Sequence, residues 1–168
     1  MDEPSFACYI SFHDIIFRVA SRKSRSLKPA DYQSLSEFRH QIRKFLCFSE
    51  QAAERAGIEA RQHQLLLAIK GMPKGRRPRI ADLAERLQVK HHSTVELVNR
   101  LVRAGHVRRH RAADDRREVL VSLTVRGEKI LHALSLHHRA ELRLRGPALI
   151  TALNRVLGQP GKIKRSEE

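Results

Sequence analysis

Between Arg79 and Thr124 the apolar positions keep a helical period over two segments and then change it. Ile80, Leu83, Ala84 and Leu87 recur at i, i+3, i+4 and i+7, the spacing of one helix face. After Gln88–Lys90 a second set, Val95, Val98 and Val102, predicts another helix, with His92, Glu96, Asn99 and Arg103 on its opposite side. Gly105 is suited to the left-handed residue that closes a helix. The period then falls to two. Val107–Arg111 and Glu118–Leu123 predict two strands joined by the tip Ala112-Ala113-Asp114-Asp115-Arg116-Arg117. The order helix, turn, helix, hairpin suits gripping a nucleic-acid duplex.

The flanks are helical. Leu35, Phe38, Ile42, Phe45 and Leu46 predict an amphipathic helix from Ser34 to near Gly57. Arg61–Lys70, with Leu65, Leu66, Leu67 and Ile69, is apolar nearly all round and predicts a central buried helix ending at Gly71. Met72–Pro78 is a long, positively charged loop. Thr124 is a good N-cap for a helix from Val125 to about Leu144, with the stripe Leu131, Leu134, His138 and Leu142. Gly146-Pro147 predicts a break, with Pro147 opening a further helix that carries Leu149, Ile150, Leu153, Val156 and Leu157. Residues 1–33 predict a flexible N-terminal extension whose apolar positions fit helix or strand, and residues 158–168 a polar tail. The N- and C-terminal helices exceed what the central unit needs to fold, which predicts a subunit interface and a homodimer.

Charge narrows the partner. Lys and Arg outnumber Asp and Glu 33 to 18 in 168 residues, a formal charge of +15, so a polyanion is expected, nucleic acid ahead of an anionic membrane. No apolar run is long enough to span a bilayer. Cys8 and Cys47 cannot build a disulfide framework, which makes a reducing, cytoplasmic setting the default. Aromatic residues are 5% of the chain, too few for a single-strand stacking surface.

The segment Ile80–Leu87, the helix ending Val98-Asn99-Arg100-Leu101, Gly105, and Asp114-Asp115-Arg116-Arg117 running through Leu123-Thr124 to Gly127 resemble the MarR family of winged helix-turn-helix transcriptional regulators. The specific part is Asp-x-Arg followed by an alternating strand that ends Leu-Thr-x-x-Gly. The resemblance implies a mainly α fold with a small β-hairpin wing. Its DNA-binding lobe would span about 58–124, and N- and C-terminal dimerisation helices about 34–56 and 125–157. It also implies a homodimer acting on a pseudo-palindromic double-stranded DNA site as a repressor, with release by a small-molecule effector expected in many members.

By position, His91, His92, Ser93, Val95, Glu96 and Asn99 would approach base edges or flanking phosphates. Val95 offers an apolar contact to a thymine methyl, and Glu96 an acceptor for cytosine N4. Ser93-Thr94-Val95-Glu96 also has the spacing of a capping box, in which Glu96 would fold back onto a later helix start. In the wing, Asp115 and Arg117 match the family's Asp-x-Arg pair, the carboxylate holding a guanidinium that enters the minor groove. Arg108, Arg109, Arg111 and Arg116 are expected phosphate clamps.

Other chemistry is weaker. No nucleophile–base pair, phosphate-binding glycine loop or paired carboxylate motif is evident, so no catalytic residue is assigned. The histidines, including His91, His92, His106, His110, His132, His137 and His138, form no ligand pattern with cysteine, and no metal or cofactor is expected. His138 is expected as a hydrogen-bonded interface residue. Cys47 is expected to be a buried packing residue; the alternative is an oxidant sensor. An effector cleft would draw on Arg39, Phe45, Phe48 and His63. A sequence-nonspecific architectural protein is the alternative to a sequence-reading regulator.

Overall fold

The computed structural model describes residues 26–158; the expectations placed on residues 1–25 and 159–168 lie outside them. Helix α1 spans Pro29–Arg55. It begins ahead of the expected Ser34, because Pro29 sits in the first turn and the Asp31 carboxylate accepts from the Lys28 backbone N–H at 2.7 Å. The last residues assigned to a flexible extension are therefore helical. Helix α2, Ala60–Lys70, touches α1 and every later element except β1 among the extensive contacts. Its apolar surface explains this centrality: Leu65, Leu66, Ala68 and Ile69 are buried, although Leu67 is half exposed.

Helices α3 (Ile80–Leu87) and α4 (His91–Arg103) form the helix-turn-helix, with Gln88 in the left-handed conformation at the end of α3. The buried stripe of α4 is Thr94, Leu97, Val98 and Leu101, not the Val95–Val98–Val102 row. Two apolar rows overlap on this helix, and packing against α2 and α3 selects the leucine row. Val95 is left half-buried and Val102 exposed. Gly105, at φ +70°, closes the helix as expected.

Strands β1 (Val107–Arg111) and β2 (Val119–Leu123) pair antiparallel, Val107 opposite Leu123 and Arg111 opposite Val119. The Val121 N–H donates to the Pro78 carbonyl at 3.0 Å, so the loop before α3 fastens onto the hairpin's second strand. Helix α5 then runs unbroken over Val125–Val156, with Pro147 inside it. The expected break and second C-terminal helix are absent from the described residues. A proline costs its own backbone donor, but the long packing surface of α5 against α1 holds the helix through that gap.

The core lies where α2, α4, β2 and α5 meet, around Leu65, Leu66, Leu83, Val98, Leu101, Val107, Val121 and Leu134. Tyr32, Leu35, Leu46, Leu136, Leu142, Leu144, Ile150, Leu153 and Leu157, on α1 and α5 and just past its end, remain exposed. No helix of the described residues is long and apolar enough to cross a membrane.

Candidate nucleic-acid interface

Helix α4 sorts its residues by face. With Thr94, Leu97, Val98 and Leu101 turned inward, helical geometry puts His92, Val95, Glu96, Asn99 and Arg103 on the opposite stripe, with His91 and Ser93 on its flanks. His91, His92, Glu96 and Arg103 are exposed, while Ser93, Val95 and Asn99 are half-buried. The helix starts at His91 after Lys90, so Glu96 lies beyond the first turn and cannot close a capping box with Ser93. Its carboxylate instead accepts from the Asn99 side-chain amide at 3.3 Å. This bond orients an amide whose free edge could pair bidentately with adenine. A groove of about 510 Å³ runs beside this face, lined in part by Arg61, Gln64, His92, Glu96 and Arg100.

The hairpin distributes its arginines over two faces. Alternation places Arg109 and Arg111 with Val107, and Arg108 with His110. The Arg108 guanidinium donates to Ser122 Oγ at 3.2 Å, and Arg111 donates to the Arg116 carbonyl at 2.8 Å. Arg108, Arg109, Arg111, Arg116 and Arg117 are all exposed, and among the described residues none of them forms an ion pair. Strongly basic, uncompensated projections of this kind attract polyanions.

Asp115 does not hold the Arg117 guanidinium. Its carboxylate accepts the Arg117 backbone N–H at 2.9 Å, and its carbonyl accepts the Glu118 N–H at 3.0 Å. A short carboxylate bonding two residues along its own backbone makes a tight turn, which shapes the tip and leaves the Arg117 side chain unclamped. The acidic partners of the wing are Asp114 and Glu118, and both are taken by Arg77 from the loop before α3. Arg77 is not among the residues expected from the sequence. The available signal was a long basic loop and an acidic pair at a basic tip.

The wing joins α5 through a close backbone approach. Thr124 Oγ1 lies 2.7 Å from the Gly105 carbonyl, to which it donates, and accepts from the Gly127 N–H at 3.1 Å. A Cβ on Gly127 would come within 2.0 Å of the His106 carbonyl oxygen. The Leu-Thr-x-x-Gly run is thus a cap and a clearance site in one.

Three of the four residues assigned to an effector cleft converge. The rings of Phe45 and Phe48 stand edge-on to His138, with centroids 5.9 and 5.5 Å away, and His63 tilts against it at 4.7 Å. His138 Nδ1 lies 2.6 Å from the Leu134 carbonyl, and Nε2 lies 2.8 Å from Ser49 Oγ. Since a carbonyl only accepts, Nδ1 carries a proton. Burial, then the neighbouring His138, lowers the His63 pKa from 6.5 to about 4, so His63 is neutral at pH 7. Arg39 is exposed on α1 and is not part of this cluster. Alongside it lies an open groove of about 450 Å³ that includes Phe48, Arg55, Leu134, His137 and Glu141. Cys47 is exposed rather than buried, its Sγ accepting from Gln51 at 3.3 Å, because it lies on the side of α1 turned away from α5 and α2.

Residues 56–118 match the model of the MarR family. A solved MarR family transcription regulator is 26% identical, with 67% of this chain and 73% of that chain covered at a TM-score of 0.59. AbsC, a MarR family transcriptional regulator from Streptomyces coelicolor, is 22% identical over 80% of this chain and 93% of its own, with a TM-score of 0.63. A point mutant of S. aureus MepR bound to an oligodeoxyribonucleotide is 25% identical over 67% and 80%, with a TM-score of 0.53. No curated protein matches the chain.

Proposed function

From a chain that belongs to the MarR family of winged helix-turn-helix transcription regulators, we propose a homodimeric repressor that reads a pseudo-palindromic duplex. The observation that carries this reading is the outward stripe of α4. It joins His92, Val95, Glu96 and Asn99 on the side opposite the core, with a wing whose arginines have no ion-pair partner among the described residues. Helix α4 enters the major groove, where the Glu96-oriented Asn99 amide, Val95 and the flanking His91 and Ser93 meet base edges. Arg117 reaches the minor groove, and Arg108, Arg109, Arg111 and Arg116 hold phosphates on either side. The exposed leucines and Ile150 on α1 and α5 supply the two-fold interface. A small apolar or aromatic effector enters the groove beside Phe48 and acts through the His63–His138 contact, where a lobe helix meets a dimerisation helix.

Duplexes selected by the protein from a random pool test the reading directly. Inverted repeats with half-sites about one helical turn apart are expected, and Arg117→Ala should weaken binding to them at least 10-fold at physiological salt. Equal affinity for scrambled duplexes would favour an architectural protein instead. Light scattering at micromolar concentration should report a dimer.

A further inference from the structure

The loop between α2 and α3 carries Lys74, Arg76, Arg77 and Arg79, and by charge alone it reads as an additional phosphate clamp. Its geometry gives three of these arginines a different occupation. Arg77 forks onto Asp114, with Nη1 donating to Oδ1 at 2.7 Å and Nη2 to Oδ2, and Nη1 also reaches Glu118 Oε2 at 2.6 Å. Asp114 immediately precedes the Asp115–Glu118 turn and Glu118 ends it, so one guanidinium holds both sides of the turn that presents Arg116 and Arg117. Arg79 joins Glu118 at 3.2 Å to Asp82 of α3 at 2.6 Å, and Arg76 joins Asp82 at 3.2 Å to Glu85 at 3.3 Å. Charges of alternating sign thus run from α3 to the wing tip. Two of the central carboxylates, Asp82 and Glu118, have side chains only 10% and 15% exposed, which shelters their pairs from salt.

We infer that Arg77 is the positioning residue of the wing, fixing its tip against the helix-turn-helix through Asp114 and Glu118 and making no phosphate contact itself. The inference rests on the wing's role in DNA binding. The only backbone link between loop and hairpin among the described residues, from Val121 to Pro78, lies well below the tip, so the tip itself is tied to the loop by side chains. A planar fork that meets a carboxylate with two parallel bonds sets direction as well as distance, which a lysine ammonium cannot. The Asp114 carboxyl is accordingly held down to about 2, first by its bonds from Arg77. A tip already fixed before binding loses less freedom when DNA arrives.

The test is anisotropy titration of a labelled duplex, selected from a random pool by the full-length protein, across a range of salt. Arg77→Ala is expected to weaken binding roughly 5- to 20-fold while leaving the slope of log affinity against log salt unchanged. Asp114→Asn removes a negative charge from the DNA-facing tip, so simple electrostatics demands tighter binding. The positioning role demands weaker binding, comparable to Arg77→Ala. The double variant should be no worse than either single one. Arg77→Lys, which keeps the charge but not the fork, should fall between wild type and Arg77→Ala, and thermal melting of each variant checks that it is folded. Tighter binding by Asp114→Asn, a slope reduced by about one in Arg77→Ala, or no change in Arg77→Ala while Arg117→Ala is defective would each overturn the inference alone. Indifference of binding to Arg117→Ala would overturn the DNA role of the wing, and the inference with it.

Discussion

The carbonyl of His106 stands where a side chain on Gly127 would have to go. An added Cβ would lie 2.0 Å from that oxygen and 3.0 Å from its carbon, both backbone atoms that no rotamer change can move aside. Gly127→Ala must therefore lift the first turn of α5 off the backbone that leads into β1. A loss of about 3 kcal/mol or more in denaturant unfolding is expected, against less than about 1 for Gly146→Ala, where a Cβ meets nothing. Equal stability of the two variants would sink this account.

Thr124 faces the same junction from the other side. Its hydroxyl accepts from Gly127 and donates to the Gly105 carbonyl, so it ties the end of α4 to the start of α5. Thr124→Val keeps the shape and removes both bonds. A cost of about 1–2 kcal/mol is expected from the lost cap, read as an earlier urea midpoint with an unchanged slope.

Glu96 holds the Asn99 amide. Glu96→Ala frees that amide and removes a carboxylate from the reading face, so specificity should change more than affinity. Selection from random duplexes is expected to show altered preference at one position per half-site, a shift of about 1–3 kcal/mol. An unaltered selected sequence would place Glu96 outside the contact surface.

His63 makes stability depend on pH. Its pKa is lowered from 6.5 to about 4 on folding, so between these values the unfolded chain binds more protons than the folded one. The contribution is complete above about pH 6.5 and is lost as pH falls toward 4. His106, lowered by burial and by Arg126, slopes the same way. Unfolding at fixed protein concentration should lose up to about 3 kcal/mol from His63 over that range. His63→Phe, which keeps a ring against His138, should flatten the profile without removing the part due to His106. A profile as steep as wild type would reject the assignment.

The elements that local rules govern were legible before the fold was known. The span of β1, the position of Gly105 and the cap at Thr124 follow from period, backbone conformation and hydroxyl placement, each decided within a few residues. Helix α4 shows where such rules stop. Val95, Val98 and Val102 make as good a row as Leu97, Val98 and Leu101, and only packing against α2 and α3 chooses between them. Pro147 reads locally as a helix start, yet the contact with α1 carries the helix through it. In the candidate site, the outward residues of α4 and the wing arginines could be named from their pattern and from family likeness. The ties from Arg77 to Asp114 and Glu118 could not, because they close over 37 and 41 residues and no periodicity encodes them. The Asp115–Arg117 pair was a side-chain expectation for a spacing that a backbone turn also satisfies.

Pro147 also gives α5 mechanical character. It offers no N–H to the carbonyl one turn earlier, so a helix of 32 residues has one rung missing from its ladder, near the last third of its length. The segment beyond it, roughly 14 Å from Pro147 to Val156, carries Ile150 and Leu153. A bend of about 20° at that rung would carry its tip about 5 Å sideways. A bend there would be confined to a single joint, leaving the stretch from Val125 to Pro147, which starts at the base of the wing, as an unbroken shaft.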